Sequence, residues 1–325
     1  MKRWQNALRL TSIFSKMSYK VFVINTLYHL PWLKKQIIEI EIENKKQLPD
    51  YHKRFRLYTI IATIFITWLE TLRNQRLTET QRETALLFCG LSPLFDDLFD
   101  EMQYSAVEIS LLSQKKIQRG NLHEKICIAL FEQIEQRNGY LDWTSVFQKV
   151  IDYQVVSKKQ FDKNISREEI IDITFGKGGY SLLLYLEAIL PKGYSQEEAE
   201  AVYQMGAVIQ LTNDVFDTFK DRNEGIFTLA TSTKDMDELR CYYDREVNKN
   251  ITQFEALPYP KRNIDDFLLQ YRLIISRGWV ALDQLQALQK ESNGVFQLHD
   301  YSRKQLICDM ELWRNIKKSL RYAIG

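Results

Sequence analysis

Apolar residues recur at three-to-four spacing along almost every long segment, and no alternating β-branched run bounded by turn residues stands out. The pattern predicts an all-α chain. Punctuation is sparse, with 6 Pro and 12 Gly, and places breaks near Pro31, 47–50, 90–92, Gly120, Gly139, 191–193, 224–227, 258–260 and 293–294. About ten helices result, most of them roughly 15–25 residues long. Ser92 ahead of Pro93 reads as an N-cap with proline at the first helical position. Ser166 with Glu169, and Ser195 with Glu198, read as capping boxes. The apolar stretch 57–69 falls short of the roughly 18–20 residues that span a bilayer and reads as a buried helix. No low-complexity linker or repeat interrupts the chain, so residues 1–325 are expected to form one helical domain.

Charge changes this picture only locally. With 44 Lys and Arg against 42 Asp and Glu, the chain lacks the basic excess of a nucleic-acid binder. Residues 1–38 are different: they carry seven basic residues (Lys2, Arg3, Arg9, Lys16, Lys20, Lys34, Lys35) and no acid. Trp4, Leu8, Ile13, Phe14, Met17 and Phe22 lie among them at roughly helical spacing. Residues 1–50 therefore read as basic amphipathic helices that either rest on an anionic membrane surface or cover the core from outside. The 4 cysteines are scattered without a CxxC pair, which argues against a zinc site or disulfide framework and fits a reduced cytoplasmic setting. No apolar stretch followed by a cleavage site indicates secretion.

Two segments carry the chemistry. In "LFDDLFDEM", residues 94–102, Asp96, Asp97, Asp100 and Glu101 alternate with Leu94, Phe95, Leu98 and Phe99. Carboxylates this close repel unless they are solvated or a cation sits on them. In "QLTNDVFDTFKDRNEG", residues 210–225, Asn213, Asp217 and Asp221 follow at i, i+4 and i+8, one stripe up a helix with Asp214 beside it. Oxygen ligands without His or Cys suit Mg²⁺, which keeps part of its water shell and commonly shares it with phosphate. One acidic stripe is most often a solvated face. Two stripes interleaved with Phe95, Phe99, Phe216 and Phe219 describe instead an apolar cavity closed by metal and diphosphate.

"DDLFDE" resembles the DDxxD(E) motif of class I isoprenoid synthases, and "NDVFDTFKD" resembles the second metal motif of class I terpene synthases, (N/D)Dxx(S/T)xx(K/R)(D/E). Asn213, Asp217 and Asp221 fall on that motif's metal-ligand positions and Lys220 on its basic position; Asp217 departs from the usual Ser or Thr. "EGIFTL" at 224–229, the glycine-bearing "FGKGGYSLLLY" at 175–185 and the terminal Arg321–Tyr322 resemble further family features in the family's order. The similarity runs from about residue 86 to the C-terminus.

The resemblance implies a helical bundle of the class I isoprenoid synthase type around a central apolar cavity. It implies Mg²⁺-dependent ionisation of an allylic prenyl diphosphate such as farnesyl, geranylgeranyl or longer, by a cluster of three Mg²⁺ ions, with Mn²⁺ as a substitute. Asp96 and Asp100, and Asn213, Asp217 and Asp221, are the expected metal ligands. Lys220, Arg321, Tyr322, Lys177 and Arg167 are expected to bind diphosphate, Asp97 to orient Arg321, and Glu101 to accompany Asp97. Phe95, Phe99, Gly178, Tyr180, Tyr185 and Phe216 are expected at the cavity. Gly176, Gly178 and Gly179 cost roughly 1 kcal/mol each against Ala in a helix and predict a break.

A terpene cyclase heads the readings. A prenyltransferase remains open, because QxxNxxxDxxxD of head-to-head synthases also fits Gln210, Asn213, Asp217 and Asp221; chain elongation is disfavoured by the missing arginine pair after Glu101. A non-catalytic helical binding protein is the third. A homodimer and peripheral membrane contact through the N-terminal region are compatible with each.

Overall fold

A computed structural model describes residues 2–45, 51–138, 144–191 and 193–324, with the side chains of 2–8, 52, 138 and 144 excluded. Among the described residues every regular element is helical. In chain order these are α1 (Lys2–Ser18), a π-helix (Tyr19–His29), α2 (Leu30–Glu43), α3 (Tyr51–Arg73), α4 (Glu79–Asp100), α5 (Ala106–Ser113), α6 (Leu122–Asn138), α7 (Thr144–Val156) and α8 (Arg167–Ile189). They continue as α9 (Gln196–Phe216), α10 (Thr218–Glu224), α11 (Leu229–Ser232), α12 (Met236–Glu255), α13 (Lys261–Glu291), α14 (Arg303–Leu306) and α15 (Trp313–Ile324), with short 3₁₀ turns at Ser157–Phe161 and Leu298–Asp300. The chain divides into two compact units: Thr11–Asp152 with Leu184–Tyr194, here the N-terminal unit, and Met1–Leu10 with Tyr153–Leu183 and Ser195–Gly325, the C-terminal unit.

In the N-terminal unit α4 is the organising helix. Leu87, Leu91, Leu94 and Leu98 form one stripe on it, all buried, against Ile126, Leu130 and Ile134 of α6. Pro93 lies inside α4 rather than at its start, which corrects the expected boundary. The helix begins fourteen residues earlier at a capping box between Thr78 and Gln81, and Ser92, expected as a cap, bonds back to the Phe88 carbonyl at 3.2 Å. The buried stripe outweighs the one backbone bond that proline removes.

The expected buried helix at 57–69 is the centre of α3. Lys53–Arg73 is long and apolar enough by composition to cross a membrane, yet 56% of its apolar window is buried within the protein. Its threonines fit that burial because Thr63, Thr67 and Thr71 each return their hydroxyl to the carbonyl four residues back at 2.7 Å.

In the C-terminal unit α9 packs with α12 and α13, and α15 lies along α13. The expected break at Gly176, Gly178 and Gly179 is absent: α8 runs unbroken through all three. Their function is close approach. A Cβ on Gly178 would overlap the carbonyl oxygen of Gly206 on α9, and one on Gly206 would overlap that of Gly178. Cβ atoms on Gly176 and Gly179 would enter the rings of Tyr153 and Tyr203. Packing gained by backbone contact offsets the helix propensity that glycine loses.

Other breaks occur where expected. Gly225 at φ 71 caps α10 in the left-handed region, Gly294 at φ 85 follows α13, and Pro260 precedes α13. Pro31 falls in the first turn of α2, where the helical path continues from the π-helix, and Gly90 lies within α4. The breaks expected at 47–50 and Gly139 lie outside the described residues.

Candidate functional site

The first acidic motif belongs to the N-terminal unit and occupies the last turn of α4. Position within the helix matters, because the C-terminal end of a helix carries partial negative charge and repels carboxylates. No basic residue of α4 lies in that turn. Cations and donors come from α3 instead. The Tyr58 hydroxyl donates to Asp96 Oδ2 at 2.7 Å, and the Arg54 guanidinium lies 3.8 Å from the same oxygen. Asp97 is buried; Arg54 Nη1 donates to its Oδ1 and the Tyr51 hydroxyl to its Oδ2. Tyr51 also meets His123 Nε2 at 3.0 Å. Burial lowers the His123 pKa, with Asp97 opposing, so the imidazole is neutral near pH 7. Burial, then the bond to Asp97, pushes the Tyr51 hydroxyl up, so it stays a donor.

Asp96 is therefore accessible, with 46% of its side chain exposed, while Asp97 is a structural anchor to Arg54 and Tyr51. Asp100 and Glu101 are exposed at the helix end. Asp96 and Asp100 lie one turn apart on α4, Asp100 exposed and Asp96 partly so, with the Tyr58 and Arg54 contacts on the Asp96 side.

The second motif belongs to the C-terminal unit and crosses a helix junction. The α9 helix ends at Phe216, Asp217 departs from helical geometry, and α10 resumes at Thr218. The stripe survives the junction. Asp217 N–H bonds to the Asn213 carbonyl at 2.7 Å and Asp221 N–H to the Asp217 carbonyl at 2.9 Å, so the three ligand positions are linked by successive i−4 bonds.

Electrostatics here favour a cation. Burial raises the pKa of Asp217, with Lys220 and then Arg277 opposing. Asp221 is pushed up to about 7, first by burial and then by repulsion from Asp214 and Asp217. Burial also raises Asp214, whose oxygens accept from Thr174 Oγ1 and Gln210 Nε2 at 2.8 Å each. One protein cation is already in place: Arg277 of α13 donates to Asn213 Oδ1 and lies over the Phe216 ring at 5.4 Å, with its Nε buried and unbonded. The oxygens of Asn213, Asp217 and Asp221 are hard donors of the kind Mg²⁺ takes, and a cation would relieve the repulsion on Asp221, although the Asn213 oxygen already accepts from a guanidinium. No group of three His, Cys, Asp or Glu side chains converges to hold a metal among the described residues, so any ion would complete its shell with water or ligand oxygens.

The remaining expected residues divide. Lys177 is half-buried and acts electrostatically on Asp214. Lys220 is exposed beside Asp217 and Asp221. Arg321 is exposed on α15. Tyr322 is engaged elsewhere: its hydroxyl donates to Asp283 at 2.7 Å, accepts from Arg240 at 3.0 Å, and its ring stacks on Trp279. Arg167 pairs with Glu238 at 2.9 Å and flanks Tyr242. Phe95 packs on Phe131 and Phe147, and Phe99 is buried in the same core. Tyr180 lies between Tyr153 and Tyr203, Gly178 against Gly206, and Tyr185 bonds Ser92 and Cys89.

Arg54, Tyr51, Tyr58 and Arg277 escaped the sequence reading. The α3 set follows i, i+3 and i+7 up one side of the helix, a faint signal of a polar stripe aimed at a partner, blurred in the sequence by His52, Lys53 and Arg56 beside it. Arg277 sits between Ile275 and Trp279 on a helix face that is otherwise core, which spacing alone does not mark as functional.

No family model and no characterised protein matches this chain.

Proposed function

We propose that the protein is a class I terpene synthase: a helical bundle of the isoprenoid synthase type that ionises an allylic prenyl diphosphate and resolves the carbocation in an apolar cavity. The observation that supports this most is the Asn213, Asp217, Asp221 stripe, kept in register across a helix junction, with both carboxyls raised by burial and Asp221 raised further by Asp214 and Asp217. A purely structural stripe has no reason to bury carboxylates beside one another.

Asp96 and Asp100 on α4, and Asn213, Asp217 and Asp221 on α9 and α10, would hold Mg²⁺. When bound, Mg²⁺ supplies Lewis-acid neutralisation of the leaving diphosphate, which needs no protein proton. Lys220, Lys177 and Arg321 are the cations assigned to diphosphate oxygens. Arg277 secures the Asn213 amide oxygen before ions arrive. Tyr51 and Arg54 fix Asp97, and through the backbone of α4 they hold Asp96 at the helix end.

The test is incubation of purified protein with Mg²⁺ and allylic diphosphates from geranyl to geranylfarnesyl, with products identified by mass spectrometry. A hydrocarbon or alcohol of the substrate's own carbon count, formed without isopentenyl diphosphate, is expected. Doubling of the carbon count moves the protein to the head-to-head prenyltransferases, and absence of diphosphate release with every substrate overturns an enzymatic role.

A further inference from the structure

The π-helix Tyr19–His29 in the N-terminal unit departs from the amphipathic pattern that water imposes. Its most buried residue is polar: Asn25 is 1% exposed and accepts from Thr63 Oγ1 of α3 at 3.3 Å, and His29 Nδ1 meets the same hydroxyl at 2.8 Å, with Val21, Val23 and Ile24 half-buried. Burial, then the nearby Arg82 and Lys20, pushes His29 down to about 4, so this inner contact is uncharged at neutral pH. The outward side is apolar and aromatic. Tyr19, Phe22, Leu27 and Tyr28 are 57%, 67%, 61% and 63% exposed, and Phe14 of α1 is 50% exposed. Phe22 and Leu27 are i and i+5, one hydrogen-bonded ring of a π-helix, and so share a face.

An outward row of large aromatic and aliphatic side chains costs free energy in water and gains it in an apolar medium. Charge decides what that medium is. Residues 1–38 contain no acid and exposed Lys16 flanks the row; Glu39, the first carboxylate, pairs with Lys35 beyond its other end at 4.0 Å. A second copy of the chain meeting this face across a twofold axis would set cations against cations with no acid from this segment between them. An anionic bilayer supplies the missing charge, and Tyr and Phe side chains at headgroup depth beside lysines are the composition of a helix lying in a membrane interface.

We infer that the face carrying Phe14, Tyr19, Phe22, Leu27 and Tyr28 docks the N-terminal unit onto an anionic lipid surface, lying on it rather than crossing it. The inference is independent of the chemistry proposed above, because it uses none of the acidic motifs.

The full chain is to be sedimented with phosphatidylcholine vesicles, with and without phosphatidylglycerol. Binding only to the anionic vesicles is expected, weakened by salt, roughly fivefold by Lys16→Gln through the loss of one cation near the surface, and at least as much by Phe22→Ser. The substitution Phe22→Trp gives a second readout, an emission blue shift on adding anionic vesicles, that does not depend on the weakened variants. Equal sedimentation of wild type and both weakened variants, or no emission shift, overturns the inference. So does a stable dimer that Phe22→Ser dissociates without any vesicle binding, since a second copy then covers the face.

Discussion

Asp221 shows how much of the site resides in single side chains. Its carboxyl is pushed up to about 7 from an ordinary 3.8 by burial and by Asp214 and Asp217. Between these two values the native state binds more protons than the unfolded chain, so the stability this group contributes is full below about pH 4 and is lost as pH rises toward 7. Asp221→Asn removes that loss and keeps the side-chain size. It is expected to raise the melting temperature of the metal-free protein at pH 8, by an amount on the order of 2 kcal/mol in stability, and to change it little at pH 4. Thermal scans at the two pH values check this, and equal shifts at both would locate the effect outside the titration. The sequence already held this residue, because i, i+4 and i+8 needs only helix geometry. It could not hold Arg277, whose contact with Asn213 spans 64 positions of chain.

The helices were legible through periodicity, while their ends were less so. A caps-and-proline reading opened a helix at Pro93, but the Leu87, Leu91, Leu94, Leu98 stripe carries α4 through it. The consequence is electrostatic: the acidic motif sits at the negative end of its helix rather than the positive one, which strengthens its demand for a cation. The glycines of α8 are opaque to sequence for a related reason. Local propensity sees what glycine costs a helix and cannot see the neighbour that requires it. Gly178→Ala and Gly206→Ala each place a Cβ on a backbone carbonyl that has no rotamer to move, and each is expected to cost about 3 kcal/mol or more. Denaturant midpoints measure this, with Ser181→Ala on the exposed face of α8 expected to stay within about 0.5 kcal/mol. The terminal helix separates two neighbours in the same way. Tyr322→Phe loses bonds to Asp283 and Arg240 and is expected to cost about 1 kcal/mol, whereas exposed Arg321→Ala should leave the melting curve unchanged. Under the proposed function Arg321→Ala still loses turnover, so stability and activity part company at adjacent residues.

At the scale of the whole molecule, the two acidic stripes belong to different compact units, and each is held by its own unit's scaffold: Arg54, Tyr51 and Tyr58 for one, Arg277, Thr174 and Gln210 for the other. A structural explanation of either stripe predicts that its loss is felt in stability alone and independently of the other. The proposed function predicts something different. Groups that serve one reaction act as a unit in turnover, and residues that act as a unit are non-additive. Asp96→Ala and Asn213→Ala are each expected to abolish diphosphate release, with the double variant no worse than either alone. Mg²⁺ and inorganic diphosphate together should then raise the melting temperature of the wild type by more than the sum of their separate effects, because each completes the other's coordination and both bind only the native state. In both single variants that joint increment should vanish, while the ligand-free melting temperature should hold or rise in Asp96→Ala, where a repelling carboxylate is removed, and fall in Asn213→Ala, where the Arg277 guanidinium loses its partner. Additive shifts in the wild type, or a joint increment that survives Asp96→Ala, would assign the stripes to separate ions with no shared substrate and take the diphosphate chemistry with them.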